Sequence, residues 1–231
     1  MLFVFCKKMV KYLKMKIFTK KEILPISLII FTFLVSAFLY PELPGQIPSH
    51  WNINGEIDAW TCKTFTVLFF PGLTLVFYLL MTFLPLIDPL KKNYLGFIMP
   101  YFWFRTAFVL FLASLYLYTL WVSLGAKLNI NYFIIPAISI LFIVIGIFLP
   151  KVKKNYFVGI RTPWTLYSEE VWNRTHQSAG KFFIAAGIIS LFGLFLPKQS
   201  FIIVIPVVLA AALISVIYSY FIFRKGPKNN K

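Results

Sequence analysis

Charge is scarce in this sequence. Asp, Glu, Lys and Arg together make up 13% of 231 residues, against roughly one residue in four in soluble globular proteins. With 60% apolar residues and a mean hydropathy of +0.81, the chain is too apolar for water, and a bilayer is its natural solvent. Cysteine is nearly absent too: Cys6 and Cys62 form neither a CxxC pair nor a framework that could staple a secreted domain, so they read as two unrelated thiols. The long apolar runs lack ionisable groups at membrane depth, which argues against a proton-coupled pump or a transporter of charged substrates. The basic excess, net +16, punctuates those runs instead of covering a folded face, so direct nucleic-acid binding is set aside.

What is present is a series of charge-free runs, at residues 23–40, 64–87, 106–126, 128–150, 182–197 and 199–223. A crossing takes about 20 apolar residues for roughly 30 Å of hydrocarbon, and a helix closes its hydrogen bonds internally, as lipid demands. These runs therefore predict an all-α integral membrane protein, a bundle of six transmembrane helices. The run 182–197 is short: at about 1.5 Å per residue it reaches only about 24 Å, so this helix tilts little or begins before Lys181. Only Lys198, Gln199 and Ser200 part it from the last span, which predicts a tight helical hairpin.

Twenty Lys and Arg fall on one side of such a bundle, and only Lys63, Lys127 and Lys198 on the other. Positive-inside bias then places both termini in the cytoplasm of a multi-pass cell-membrane protein, and an odd number of spans would break that alternation. The first run exceeds a usual signal-peptide core and no A-x-A site follows before Pro41, so it reads as a retained signal anchor. Three regions follow: a basic N-terminal segment 1–22, a four-helix membrane region 23–150 with an outer loop at 41–63, and a region 151–231 holding an inner loop at 151–181, two helices and a basic tail. The lysines of 1–22, mixed with Leu2, Phe3, Val4 and Phe5, suit an orientation signal or a segment lying on anionic lipid.

Two loops carry composed sequence. In the outer one, Pro41, Pro44 and Pro48 forbid helix and Asn54-Gly55 is a turn dipeptide, which holds His50, Asn52, Glu56 and Asp58 in a compact structure. Trp51 and Trp60 can anchor it at headgroup level. One histidine with two carboxylates at irregular spacing is a thin metal-ligand set, and a hydrogen-bonded loop is the favoured reading; no cofactor is expected. Topology places His50 and Cys62 outside and His176 and Cys6 inside, so no four-residue site unites them.

The inner loop runs from Lys153 through Asn155, Gly159, Arg161, Thr162, Pro163 and Trp164 to a segment beginning at Ser168. Ser168 is a good N-cap and Glu169 and Glu170 meet the positive end of a helix dipole, so 168–180 reads as a short interfacial helix with Trp172, His176 and Ala179 on one face. That face packs on the bundle or on headgroups, while Arg161, Arg174 and the lysines suit phosphate headgroups or an acidic partner. Between the loops, Asp88 and Arg105 fall at cytoplasmic span ends, where Arg105 can snorkel and an Asp88–Arg105 contact is open.

Both loops resemble the SdpI family, the bacterial membrane immunity proteins of the sporulation-delay toxin system. The outer loop is similar to that family's N-terminal domain of unknown function, patterned LPxxIPxHWNxxGxxD, through Leu43-Pro44, Ile47-Pro48, His50-Trp51-Asn52, Gly55 and Asp58. The inner loop resembles NxxxGIRTPWTLxSExVWxxTH from Asn155 to His176, including Gly159, Arg161, Thr162, Pro163, Trp164, Glu169 and Trp172. Gln177 departs from the basic residue expected after Thr175-His176. The resemblance implies protection against a secreted peptide toxin and, in related systems, capture of a transcriptional repressor at the membrane in signal transduction. On that division the outer loop faces the toxin and the inner loop a cytoplasmic partner. The rival from another class is a small-molecule or ion transporter with Ser36, Thr74, Ser114, Thr119 and Ser139 lining one cavity. Catalysis is not expected, because hydrolysis needs a nucleophile, a base and an orienting group together while the two composed loops lie across the bilayer, and His50 with Asp58 is no catalytic set.

Overall fold

A computed structural model describes residues 20–196 and 200–226. Among these residues, six helices are long and apolar enough to cross a membrane. After a 3-10 turn at Lys20–Glu22 come α1 (Ile23–Leu39), an antiparallel hairpin of β1 (Gln46–Trp51) and β2 (Ile57–Cys62), and α2 (Lys63–Ile87). A second 3-10 turn, Lys91–Gly96, leads to α3 (Ile98–Ser123) and α4 (Asn131–Phe148). The short α5 (Pro163–Tyr167), α6 (Glu169–Leu191) and α7 (Ser200–Arg224) complete the chain. The basic segment before Lys20, Cys6 and the turn at Lys198-Gln199 lie outside the described residues.

The six-span expectation holds; the fifth span does begin before Lys181, one of the two readings of its short run, and the start of the third needs correction. The third span begins at Ile98 and the fifth at Glu169, far ahead of the charge-free runs. Charge ended the runs but not the helices, because a helical backbone satisfies itself wherever the charged side chain finds a partner or reaches water. Arg105 finds a partner inside the bundle, whereas Lys181 is exposed. The segment expected as a separate interfacial helix is thus the first three turns of the fifth span. Ser168 does cap it, accepting from the Val171 N–H at 3.4 Å. The outer loop, expected only to be compact, forms the two-stranded hairpin, the one β element among the described residues.

Helices α1, α2 and α3 pack together, α6 packs against both α4 and α7, and α3 with α4 joins the two groups. The α4–α6 contact is backbone to backbone. A Cβ added at Gly146 would lie 2.6 Å from the Gly180 carbonyl, and one at Gly180 would lie 2.7 Å from the Gly146 carbonyl. Such close approach through small residues is how helices associate in lipid, where no hydrophobic force pulls them together. Apolar side chains including Leu68, Leu80, Ile140, Ile202 and Leu213 stay exposed on the outer faces, as a lipid-facing surface requires.

One end of the bundle carries the hairpin and the α3–α4 loop. Around Leu43 and Ile47 the hairpin end has its own core with Val67, Tyr116 and Leu120. The opposite, lysine-rich end gathers Tyr94, Phe97, Tyr101, Phe148, Val152 and Trp172.

Candidate functional sites at the two ends of the bundle

At the hairpin end, Gly55 turns the chain with φ +79, and Asn52 organises the turn. Its Oδ1 accepts the backbone N–H groups of Asn54 (2.9 Å) and Glu56 (3.1 Å), and its Nδ2 donates to the Glu56 carboxylate at 3.1 Å. The tip is docked, since Asn129 Nδ2 donates to the Asn54 carbonyl at 2.7 Å. His50 and Asp58 stand exposed on the two strands, with Nδ1 and Oδ1 only 2.6 Å apart. Trp51 turns the other way and packs against the core around Tyr118 and Ile134, while Trp60 remains exposed. His50, Asn52, Gly55 and Asp58 therefore share one organised hairpin, with Trp51 as its anchor. No three His, Cys, Asp or Glu side chains converge as metal ligands among the described residues.

Beneath β1 lies a cavity of roughly 150 Å³ lined by Pro48, Trp51, Phe70, Thr74, Tyr116 and Thr119 among others. Of the five hydroxyls expected to line a transport cavity, Thr74 and Thr119 border this one, and Ser36, Ser114 and Ser139 do not. Thr74, Thr119, Ser114 and Ser36 each donate to a carbonyl of their own helix, and Ser139 is buried on α4.

At the lysine-rich end, the inner loop is a hydrogen-bonded knot. Asn155 is fully buried; its Oδ1 accepts from the N–H groups of Phe157 (2.9 Å) and Val158 (2.6 Å), and its Nδ2 donates to the carbonyls of Lys153 and Val158. Gly159 then takes φ +103, a conformation that favours glycine, and a Cβ there would collide with the His176 ring. Trp172 Nε1 donates to the Val152 carbonyl at 2.8 Å, and its ring stacks on His176 with centroids 4.1 Å apart. Thr162 closes a capping box with Thr165 and reaches Ser219 of α7 at 3.0 Å, with Pro163 entering α5 in its first turn. Trp164 packs on Tyr220, 5.1 Å between centroids. Arg161 and Glu169 stay exposed, Arg161 donating to the Tyr156 carbonyl at 2.9 Å. The face bearing Trp172, His176 and Ala179 is buried against the bundle.

Residues outside both motifs complete this end. Asp88, 1% exposed, accepts from the backbone N–H of Leu90 (2.6 Å) and Tyr156 (2.9 Å), so it braces the inner loop and does not meet Arg105. The Tyr94 hydroxyl lies 3.2 Å from Asp88 and 3.1 Å from Asn155 Oδ1. Burial, with the Asp88 charge beside it, drives the Tyr94 phenol far above its ordinary range, so it remains a donor. Arg105 does not snorkel. Its guanidinium is buried, bonded to Glu22 at 2.7 Å and to the Thr82 hydroxyl, and flanked by the rings of Tyr78 and Tyr101. Tyr78 donates to the other Glu22 oxygen at 2.8 Å. No local signal could have paired Glu22 with a residue 83 positions away.

Comparison with known proteins agrees with both motifs. Residues 151–219 match the SdpI/YfhL protein family, and residues 27–75 match a domain of unknown function, DUF1648. The chain is 32% identical over 207 residues to the Immunity protein SdpI of Bacillus subtilis (strain 168), covering 89% of this chain and 97% of that protein. No solved structure matches. With a curated relative this similar over nearly its whole length, and the inner knot falling inside the family match, the chain belongs to the SdpI family of membrane proteins.

Proposed function

We propose that this protein confers immunity to a secreted antimicrobial peptide, meeting it at the hairpin and engaging a cytoplasmic protein, a transcriptional repressor, at the inner loop. The observation that carries the reading is the placement of two organised polar loops at opposite ends of one bundle. Twenty basic residues against three support a cytoplasmic inner loop, cytoplasmic termini and an external hairpin.

The partner chemistry differs at the two ends. Glu42, Glu56 and Asp58 are three of only seven acidic residues, and all three are exposed beside the hairpin. Lys63, the nearby cation, is occupied by the carbonyls of Tyr40 and Leu43 at 3.2 and 3.1 Å. This local excess of negative charge suits a basic peptide. The inner loop presents Arg161 on a rigid knot, which suits an acidic patch on a protein.

On this reading region 23–150 presents the hairpin, region 151–231 presents the inner loop, and the close α4–α6 contact couples them without catalysis. The test is protection. Expressed in a bacterium sensitive to the sporulation-delay peptide, the chain should restore growth, and alanine at His50, Asn52 and Asp58 should abolish that while membrane insertion persists. Full resistance in the triple variant would sink the hairpin proposal.

A further inference from the structure

A second kind of ligand is suggested by the outer surface of the lysine-rich end. Between the first turns of α3 and the last turns of α4 runs a groove of roughly 460 Å³, within the size range of small-molecule sites. Phe104 and Phe148, stacked with centroids 4.6 Å apart, form its floor. Met99, Trp103 and Ile147 are exposed along its walls, and at one end it reaches Lys151. From Val144 to Lys151 the α4 side extends about 10 Å inward at 1.5 Å per residue, the upper part of one leaflet.

Cations gather where the groove meets the helix ends. Lys21 Nζ lies 3.7 Å from the Met99 sulfur, Lys151 lines the groove, and the Lys153 stem lies over Gly96. None of these lysines joins an ion pair among the described residues; the three pairs there are His50–Asp58, Glu22–Arg105 and Glu170–Arg174. Of the carboxylates at this end, Glu22 is engaged by Arg105, Asp88 by backbone N–H groups and Glu170 by Arg174, while Glu169 stands exposed at the start of α6, away from the groove lining. An apolar channel of leaflet depth with uncompensated lysines at its mouth has the chemistry of one ligand class.

We propose that this groove binds an anionic phospholipid, with an acyl chain on the Phe104–Phe148 floor and the phosphate between Lys21 and Lys151. Any lipid can fill an apolar groove, so the lysines make the difference: a juxtamembrane cation contributes about 1 kcal/mol toward anionic lipid. The site does not depend on the immunity reading.

The experiment reconstitutes the full chain into bilayers of equimolar phosphatidylglycerol and phosphatidylcholine, extracts it gently and quantifies the retained lipid by mass spectrometry. Wild type should retain phosphatidylglycerol preferentially. Lys21→Gln with Lys151→Gln should lower that preference about thirtyfold, while Lys181→Gln with Arg224→Gln, the same charge change elsewhere at this end, should leave it intact. Equal loss in both double variants would reduce the effect to diffuse surface charge and overturn the proposal. Val144→Phe keeps the lysines and fills the groove, so it too should lower retention; unchanged retention there would also count against the site. Excess glycerol phosphate should fail to displace the lipid, and displacement would instead identify a soluble-phosphate site.

Discussion

The imidazole of His176 accepts the backbone N–H of Ile160 at 3.0 Å through Nε2, while Nδ1 lies 2.8 Å from the Trp172 carbonyl. With a carbonyl at one nitrogen and an N–H at the other, the ring must be neutral and protonated on Nδ1. One side chain thereby fastens the inner loop to the first turns of the fifth span.

Replacing His176 by alanine should release the loop while the bundle persists. The half-buried Ile160 N–H loses its acceptor, at a cost of about 2 kcal/mol. Trypsin cleavage after Arg161 in the detergent-solubilised protein should accelerate roughly thirtyfold, since local opening governs such cleavage. Gly159→Ala should act in the same direction, because its Cβ meets the same ring and its φ is +103. Cleavage at the wild-type rate in both variants would mean that the loop is held by other means.

The Glu22–Arg105 pair predicts asymmetric mutational behaviour. Arg105→Met leaves a buried carboxylate unpaired and should destabilise the protein by about 3–5 kcal/mol. Combining it with Glu22→Gln should recover most of that loss, because a neutral pair no longer strands a charge. Thermal unfolding in detergent measures both. Additive losses in the double variant would show that the two groups do not depend on each other.

Recruitment of a cytoplasmic partner should depend on Arg161 and Trp164. Arg161→Ala removes an exposed guanidinium and should weaken partner capture on isolated membranes with little change in stability, whereas Trp164→Ala also loses its packing on Tyr220. Unchanged pull-down in both would remove the inner loop from the partner surface.

Much of this architecture is readable from charge alone, for a physical reason: lipid penalises an unpaired charge so strongly that charge-free runs mark the spans. The same signal misleads where a charge is paired or displaced. Arg105 breaks a charge-free run although the helix continues through it, because its partner Glu22 is distant in sequence, and Arg174 and Lys181 hide three turns of α6. The Asn54-Gly55 turn and the Ser168 cap were legible because each acts within a few residues. The hairpin was not, since proline at 44 and 48 obscured strand periodicity that is visible only in 57–62. Nor was the part played by Asp88 and Tyr94, which close the Asn155 knot from a different loop.

The central claim is that the hairpin and the inner loop lie on opposite faces of the membrane. Cys62 is an exposed reporter at the hairpin, and hydrogen bonds from the backbone of Thr64 and Phe65 hold its thiol below the usual range, which favours the reactive thiolate. In intact cells a membrane-impermeant maleimide should label Cys62 in a Cys6→Ser background. It should leave Arg161→Cys, in a chain lacking both native cysteines, unlabelled until the membrane is permeabilised. Labelling of Arg161→Cys in intact cells, together with unlabelled Cys62 in the Cys6→Ser protein, would invert the topology and contradict the account.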